Sequence, residues 1–81
     1  MESLLDIVKV EARPDHTLWL EFENGEMRIF DMKPYLDRKP FQGLARLPLF
    51  LQAKVAFGTV VWPGNLDIAP ETLLLRSVPA A

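Results

Sequence analysis

From Val8 the chain alternates, with Val8, Val10 and Ala12 on one side and Lys9, Glu11 and Arg13 on the other. That two-residue period predicts a half-buried strand. The Leu4-Leu5 pair breaks the phase, which predicts a bulge or a frayed start at that point. Pro14-Asp15 supplies the next turn. The run TLWLEFENGEMRIFD then alternates on both sides of Asn24-Gly25. This dipeptide is the preferred loop of a two-residue hairpin, because both loop positions need positive φ. That register sets Glu21 opposite Arg28, Leu20 opposite Ile29 and Trp19 opposite Phe30. Leu18, Leu20, Phe22, Met27 and Ile29 then form the core face. Trp19 and Phe30 fall on the opposite face, beside a Glu21–Arg28 pair. Cross-strand pairs of these kinds contribute about 0.2–1 kcal/mol each. A second face holding two aromatics requires cover, from a short helix or from another chain.

After Asp31 the alternation stops. Pro34, Pro40 and Pro48 punctuate the text, and proline suits the first turn of a helix but not an interior. The prolines predict a helical turn over 34–37, a surface loop over 38–43 with Phe41 tucked in, and a short helix over 48–53 that turns Leu49 and Phe50 inward. Residues 54–57 and 59–62 are apolar enough for two strands. Gly58 between them is either a very tight turn or the kink of one bent strand. Pro70 with Glu71 opens a final helix over 70–77, with Glu71 at the favourable end of the helix dipole and Leu73, Leu74 and Leu75 as its packing run. The tail from about residue 78 is expected to be loose. The sum is an α+β domain over residues 1–81: a small antiparallel sheet of four to five strands built on a β-hairpin, with two or three short helices.

Composition narrows the functions open to such a domain. Its 81 residues are 49% apolar and 25% charged, a globular rather than disordered balance. Without cysteine there is no disulfide framework or thiolate metal site. His16 is the one histidine, too few for a zinc site of three or four protein ligands. No metal or cofactor is expected. The net charge of −2 argues against an independent nucleic-acid binder. No apolar run approaches the ~20 residues of a bilayer span, and the N-terminal text lacks the basic start of a signal peptide. A cytoplasmic location is the default expectation.

The order LWLEFENGE, FDMKPYL, PLF, TVVWP and DIAPETL resembles the small bacterial domain-of-unknown-function family numbered 2442, over about residues 5–75. The resemblance implies a stand-alone bacterial cytoplasmic α+β module with its strands toward the N-terminal half. A related domain is fused to a helix-turn-helix in some proteins. Some members are encoded beside another small protein, an arrangement reminiscent of toxin–antitoxin pairs. The family has no established activity and no catalytic residues to carry over. It commonly shows a small residue or cysteine before the last motif's proline; Ala69 stands there, which removes thiol chemistry.

Four groups of residues could carry chemistry. Trp62, Asn65, Asp67 and Glu71 would form a small polar pocket with an aromatic wall, where Asp67 and Glu71 could hold a cation or work as an acid–base pair. The same residues can instead end a strand, make a turn and, through Asp67, cap the Pro70 helix. His16 with Asp15, Asp31 or Asp37 has the elements of an oriented base, but no serine or cysteine nucleophile accompanies it, and a turn residue is the simpler reading. Lys33, Arg38, Lys39 and Arg46 could meet an anionic partner, nucleic acid included, although Asp31 and Asp37 interrupt them as in a solvated loop. The four glycines are scattered and build no phosphate loop. Trp19 and Phe30 remain as the candidate interaction surface, open to self-association or to a cognate small protein. The reading favoured is a non-enzymatic interaction or regulatory module, such as the antitoxin-like half of a two-protein system. The alternative is a small-ligand-binding protein or enzyme working near Trp62.

Overall fold

The computed structural model describes residues 5–80. Strands β1 (Ile7–Ala12), β2 (Thr17–Phe22) and β3 (Met27–Asp31) follow one another. Two 3-10 turns come next, Lys33–Tyr35 and Phe41–Ala45, and then a single helical turn, α1 (Leu47–Phe50). Strands β4 (Lys54–Ala56), β5 (Thr59–Trp62) and β6 (Leu66–Ile68) lead to helix α2 (Pro70–Arg76) and the two-residue strand β7 (Val78–Pro79). The mix of strands and helices fits the α+β class, but among the described residues there are seven strands in place of four or five, and α2 is the one helix longer than a single turn. The strands, however, form two antiparallel sheets rather than one: β1-β2-β3-β7 and β4-β5-β6.

The hairpin falls where Asn24-Gly25 places it, but one residue out of the expected register. Phe22 N–H donates to the Glu26 carbonyl and Gly25 N–H to the Phe22 carbonyl, so the loop has three residues, Glu23 to Gly25. Gly25 alone takes a left-handed conformation, at φ +87, while the Asn24 side chain accepts from Glu26 N–H at 3.0 Å. This is the three-residue loop with a glycine bulge, the next commonest hairpin connection after the two-residue one. A one-residue slip exchanges the faces of a strand. Leu18 therefore faces Phe30, Leu20 faces Arg28, Trp19 faces Ile29, and Glu21 faces Met27. Phe30 is buried with Leu18, Leu20 and Phe22, whereas Met27 and Ile29 move to the outer face. The expected Glu21–Arg28 pair does not form; Glu21 lies 3.9 Å from Lys9 instead.

Arg28 on the inner side finds its partners 49 residues away. Its Nε donates to Ser77 Oγ at 2.6 Å and its Nη2 to the Ser77 carbonyl at 2.7 Å. Glu26 takes the remaining arm of the guanidinium. This clasp seats residues 77–80 beside β3, with Ile29 opposite Val78 and Ala80 N–H donating to the Met27 carbonyl. The tail expected to be loose from about residue 78 is a strand through Pro79, because it completes the hydrogen bonding of β3.

β1 pairs with β2 through a bulge between Ile7 and Lys9 that turns Val8 outward, 46% exposed. The irregularity thus sits three residues beyond Leu5, and Leu4 lies outside the described residues. Ile7 N–H donates to the Gly58 carbonyl, which ties the first sheet to the tip of the β4–β5 hairpin. Leu18, Leu20, Phe22 and Phe30 from one sheet meet Val60, Trp62 and Ile68 from the other, and Leu44, Phe50 and Leu73 fill the space between. His16 belongs to this packing and is not an exposed turn residue. Its ring lies 4.8 Å from that of Phe50, and Nε2 donates to the Leu44 carbonyl at 3.0 Å.

Candidate functional site

The β4–β5 connection is a hairpin of two residues, Phe57 and Gly58, both at positive φ (+55 and +75). A left-handed pair suits a tight hairpin whose twist matches its strands. Asparagine and glycine take those angles readily, whereas a bulky side chain there is an outlier. Phe57 nevertheless occupies the first position and is 98% exposed. Gly58 is fixed by contact as well as conformation: a Cβ there would stand 2.6 Å from Asp6 Oδ1. Pro63, Gly64 and Asn65 then return the chain from β5 to β6, with Gly64 and Asn65 at φ +91 and +62.

Pairing in the three-stranded sheet sets Lys54 opposite Val61 and Val61 opposite Asp67. These three residues form one row across the outer face, while Val60, Trp62 and Ile68 point into the core. The outer face carries a groove of about 680 Å³ bounded by Lys54, Phe57, Val61, Trp62, Asn65 and Asp67, among others. Three of the four residues grouped from the sequence thus meet at one place. Glu71 does not; it is exposed on the first turn of α2. Trp62 offers the groove little more than an edge. It is 2% exposed, and its indole N–H is committed to the Phe50 carbonyl at 3.0 Å.

Asp67 is not the cap of α2. The residue before the helix is Ala69, which provides no side-chain hydrogen bond, and Pro70 enters the first turn without needing a partner for its nitrogen. Asp67 instead sits within β6, exposed. The ion pairs among the described residues are Lys9–Glu21, Arg13–Glu11, Arg28–Glu26 and Lys33–Asp31. Lys54 and Asp67 belong to none of them. Lys54, Phe57 and Val61 escaped the sequence reading. The available signal was Ala-Phe-Gly-Thr between two short apolar runs, which is a hairpin with an aromatic at its tip.

The outer face of the four-stranded sheet is a second place of interest. Glu11, Trp19, Ile29 and Val78 lie in one cross-strand row. Met27 beside them is 47% exposed and Val78 57%. The Arg13 guanidinium lies 3.9 Å from the centre of the Trp19 ring and is paired with Glu11 at 3.1 Å. Trp19 keeps the place on this face expected from the sequence, and Ile29 with Met27 replaces Phe30. Of the basic group, Lys33 pairs with Asp31 at 3.0 Å, and Arg38 lies over the Tyr35 ring.

Among the described residues no three His, Cys, Asp or Glu side chains stand together as a metal site would need. No helix among them is long and apolar enough to cross a membrane. No curated protein and no solved structure matches the chain. A family model does: the family described as "Protein of unknown function (DUF2442)" matches residues 7–79, from the first residue of β1 to the last of β7, and the chain belongs to that family.

Proposed function

We propose that the protein is a non-enzymatic interaction module that docks a cognate small protein on the outer face of its four-stranded sheet, as the regulatory or antitoxin-like half of a bacterial cytoplasmic pair. The observation that carries this reading is the apolar row Trp19–Ile29–Val78 with Met27 at its side, spread over three adjacent strands. Protein interfaces favour aromatic, methionine and arginine side chains, and this face presents Trp19 under Arg13 beside Met27. The flanking charges are mixed, Lys9 and Arg13 with Glu11 and Glu21, which suits a protein partner better than a polyanion.

The test is binding of the neighbouring gene product by calorimetry. Trp19→Ala and Met27→Asp should each weaken it at least about tenfold, as truncation of a central interface residue does, while Asp67→Ala leaves it unchanged. Equal binding by all three variants, each folded by circular dichroism, refutes the proposal.

A second reading, a small-ligand or substrate site at Trp62, Asn65, Asp67 and Glu71, is favoured by the groove, whose volume falls within the range of ligand pockets. Glu71 standing outside the groove and the committed Trp62 N–H weigh against it.

A further inference from the structure

The outer face of the three-stranded sheet pairs a positive and a negative side chain around an apolar centre. Strands lie about 4.8 Å apart, so the Lys54 and Asp67 backbones are separated by roughly 10 Å with Val61 midway. Neither charge has an ion-pair partner among the described residues. Within one copy the two charges do not pair with each other.

We infer that this face binds a second copy of the chain, sheet against sheet, about a twofold axis running along β5 near Val61. Rotation about that axis reverses the row, so Lys54 of each copy lies over Asp67 of the other and the two Val61 side chains meet at the centre. An axis at right angles would stack Lys54 on Lys54 and Asp67 on Asp67, so charge selects between the two arrangements. Facing sheets stand about 10 Å apart, a gap that side chains of this kind fill. The surface is self-complementary, as a twofold interface requires.

The hairpin tip supplies the second strand of the inference. Phe57 lies between β4 and β5 at the margin of the groove, close to the proposed axis. The same rotation brings the two Phe57 rings together at one end of the interface, where an aromatic pair can cover both. This accounts for a phenylalanine in a left-handed position and almost wholly bare in the single chain. Residues held in sparsely populated conformations cost stability and persist where the surroundings hold them, most often at functional sites.

Three short strands offer less area than the ~800 Å² per partner of a standard interface, so the association belongs to the weak class. Sedimentation equilibrium from about 10 μM to 1 mM is the matching assay. The average mass should rise from 9.2 kDa toward twice that value. Lys54→Asp and Asp67→Lys should each weaken association about tenfold or more, because each sets like charges face to face. The double variant, with the charges exchanged, should associate within about threefold of the parent. Phe57→Ser should weaken it without lowering thermal stability. A chain that stays monomeric throughout overturns the inference, and so does a double variant no better than the singles. Small-ligand saturation of the groove in a monomer does the same. Trp19→Ala should leave self-association intact, which separates this inference from the cognate-partner proposal.

Discussion

Trp62→Phe tests whether Trp62 belongs to the core or to a binding site. Phenylalanine keeps the ring in the core and removes the indole N–H that donates to the Phe50 carbonyl. That carbonyl also accepts from Ala53 N–H at 3.2 Å, so it is not left bare. The polar loss is therefore the net value of one hydrogen bond, about 0.5–1.5 kcal/mol, rather than the larger penalty of an orphaned acceptor. Two carbons of buried ring are lost as well, at about 0.8 kcal/mol each. The sum is about 2–3 kcal/mol. For a domain of this size that lowers Tm by roughly 10–20 °C. Trp19→Phe, on the outer face, should cost under about 1 kcal/mol. Thermal and urea unfolding by circular dichroism give both values. The Trp19→Phe protein also isolates the emission of Trp62, which should be blue-shifted and resistant to acrylamide. A Trp62→Phe variant no less stable than Trp19→Phe, or quenchable Trp62 emission, would refute the placement of this side chain in the core.

The β4–β5 tip gives a paired prediction. Phe57→Asn should raise stability by about 0.5–1 kcal/mol in dilute solution, since asparagine takes φ near +55 more readily. Gly58→Ala should lower it by about 1–2 kcal/mol, through the left-handed backbone and the contact with Asp6; chemical unfolding reports both, and a stable Gly58→Ala protein would contradict the turn geometry. The Asp15 carboxyl is held below its ordinary value of 3.8, chiefly by the Thr17 hydroxyl at 2.6 Å and also by Thr17 N–H, with Lys33 adding a favourable charge. A lowered folded-state pKa stabilises the fold above 3.8, and that contribution is lost as pH falls through the folded value. Thr17→Val should therefore raise the Asp15 midpoint in an NMR titration, and an unmoved midpoint would remove the hydroxyl as the cause.

Local signals carried much of the fold. The β2–β3 hairpin, the proline-opened α2 and the inward Phe50 are written in turn residues and in the spacing of apolar positions. What failed was the choice between two loops that share the same dipeptide. Asn-Gly fits a two-residue loop, and its glycine equally fits the bulge of a three-residue one. The decision lies in burying Phe30 against Leu18 and in giving Arg28 a partner at Ser77, a contact that no local pattern encodes. β6 and β7 are too short to show a period. At the groove, Trp62, Asn65 and Asp67 drew notice for their chemistry. Lys54 joined them only through strand register, and Glu71 dropped out because it stands exposed on the first turn of α2, outside the groove's lining.

The β3–β7 pairing has a bearing on how the chain is made. Arg28 and Ser77 are 49 residues apart, and ribosomes add about 5–20 residues per second. Residues 7–31 can emerge and pair while one side of β3 waits roughly 2–10 s for its neighbour. During that interval an edge bearing Ile29 and Phe30 is open to other nascent chains, at the stage when unpaired strands aggregate. Chains interrupted before Ser77 should then collect in inclusion bodies although most of the core is already synthesised. The codons for Ser77 to Pro79, not those of the hairpin, decide when the first sheet is safe.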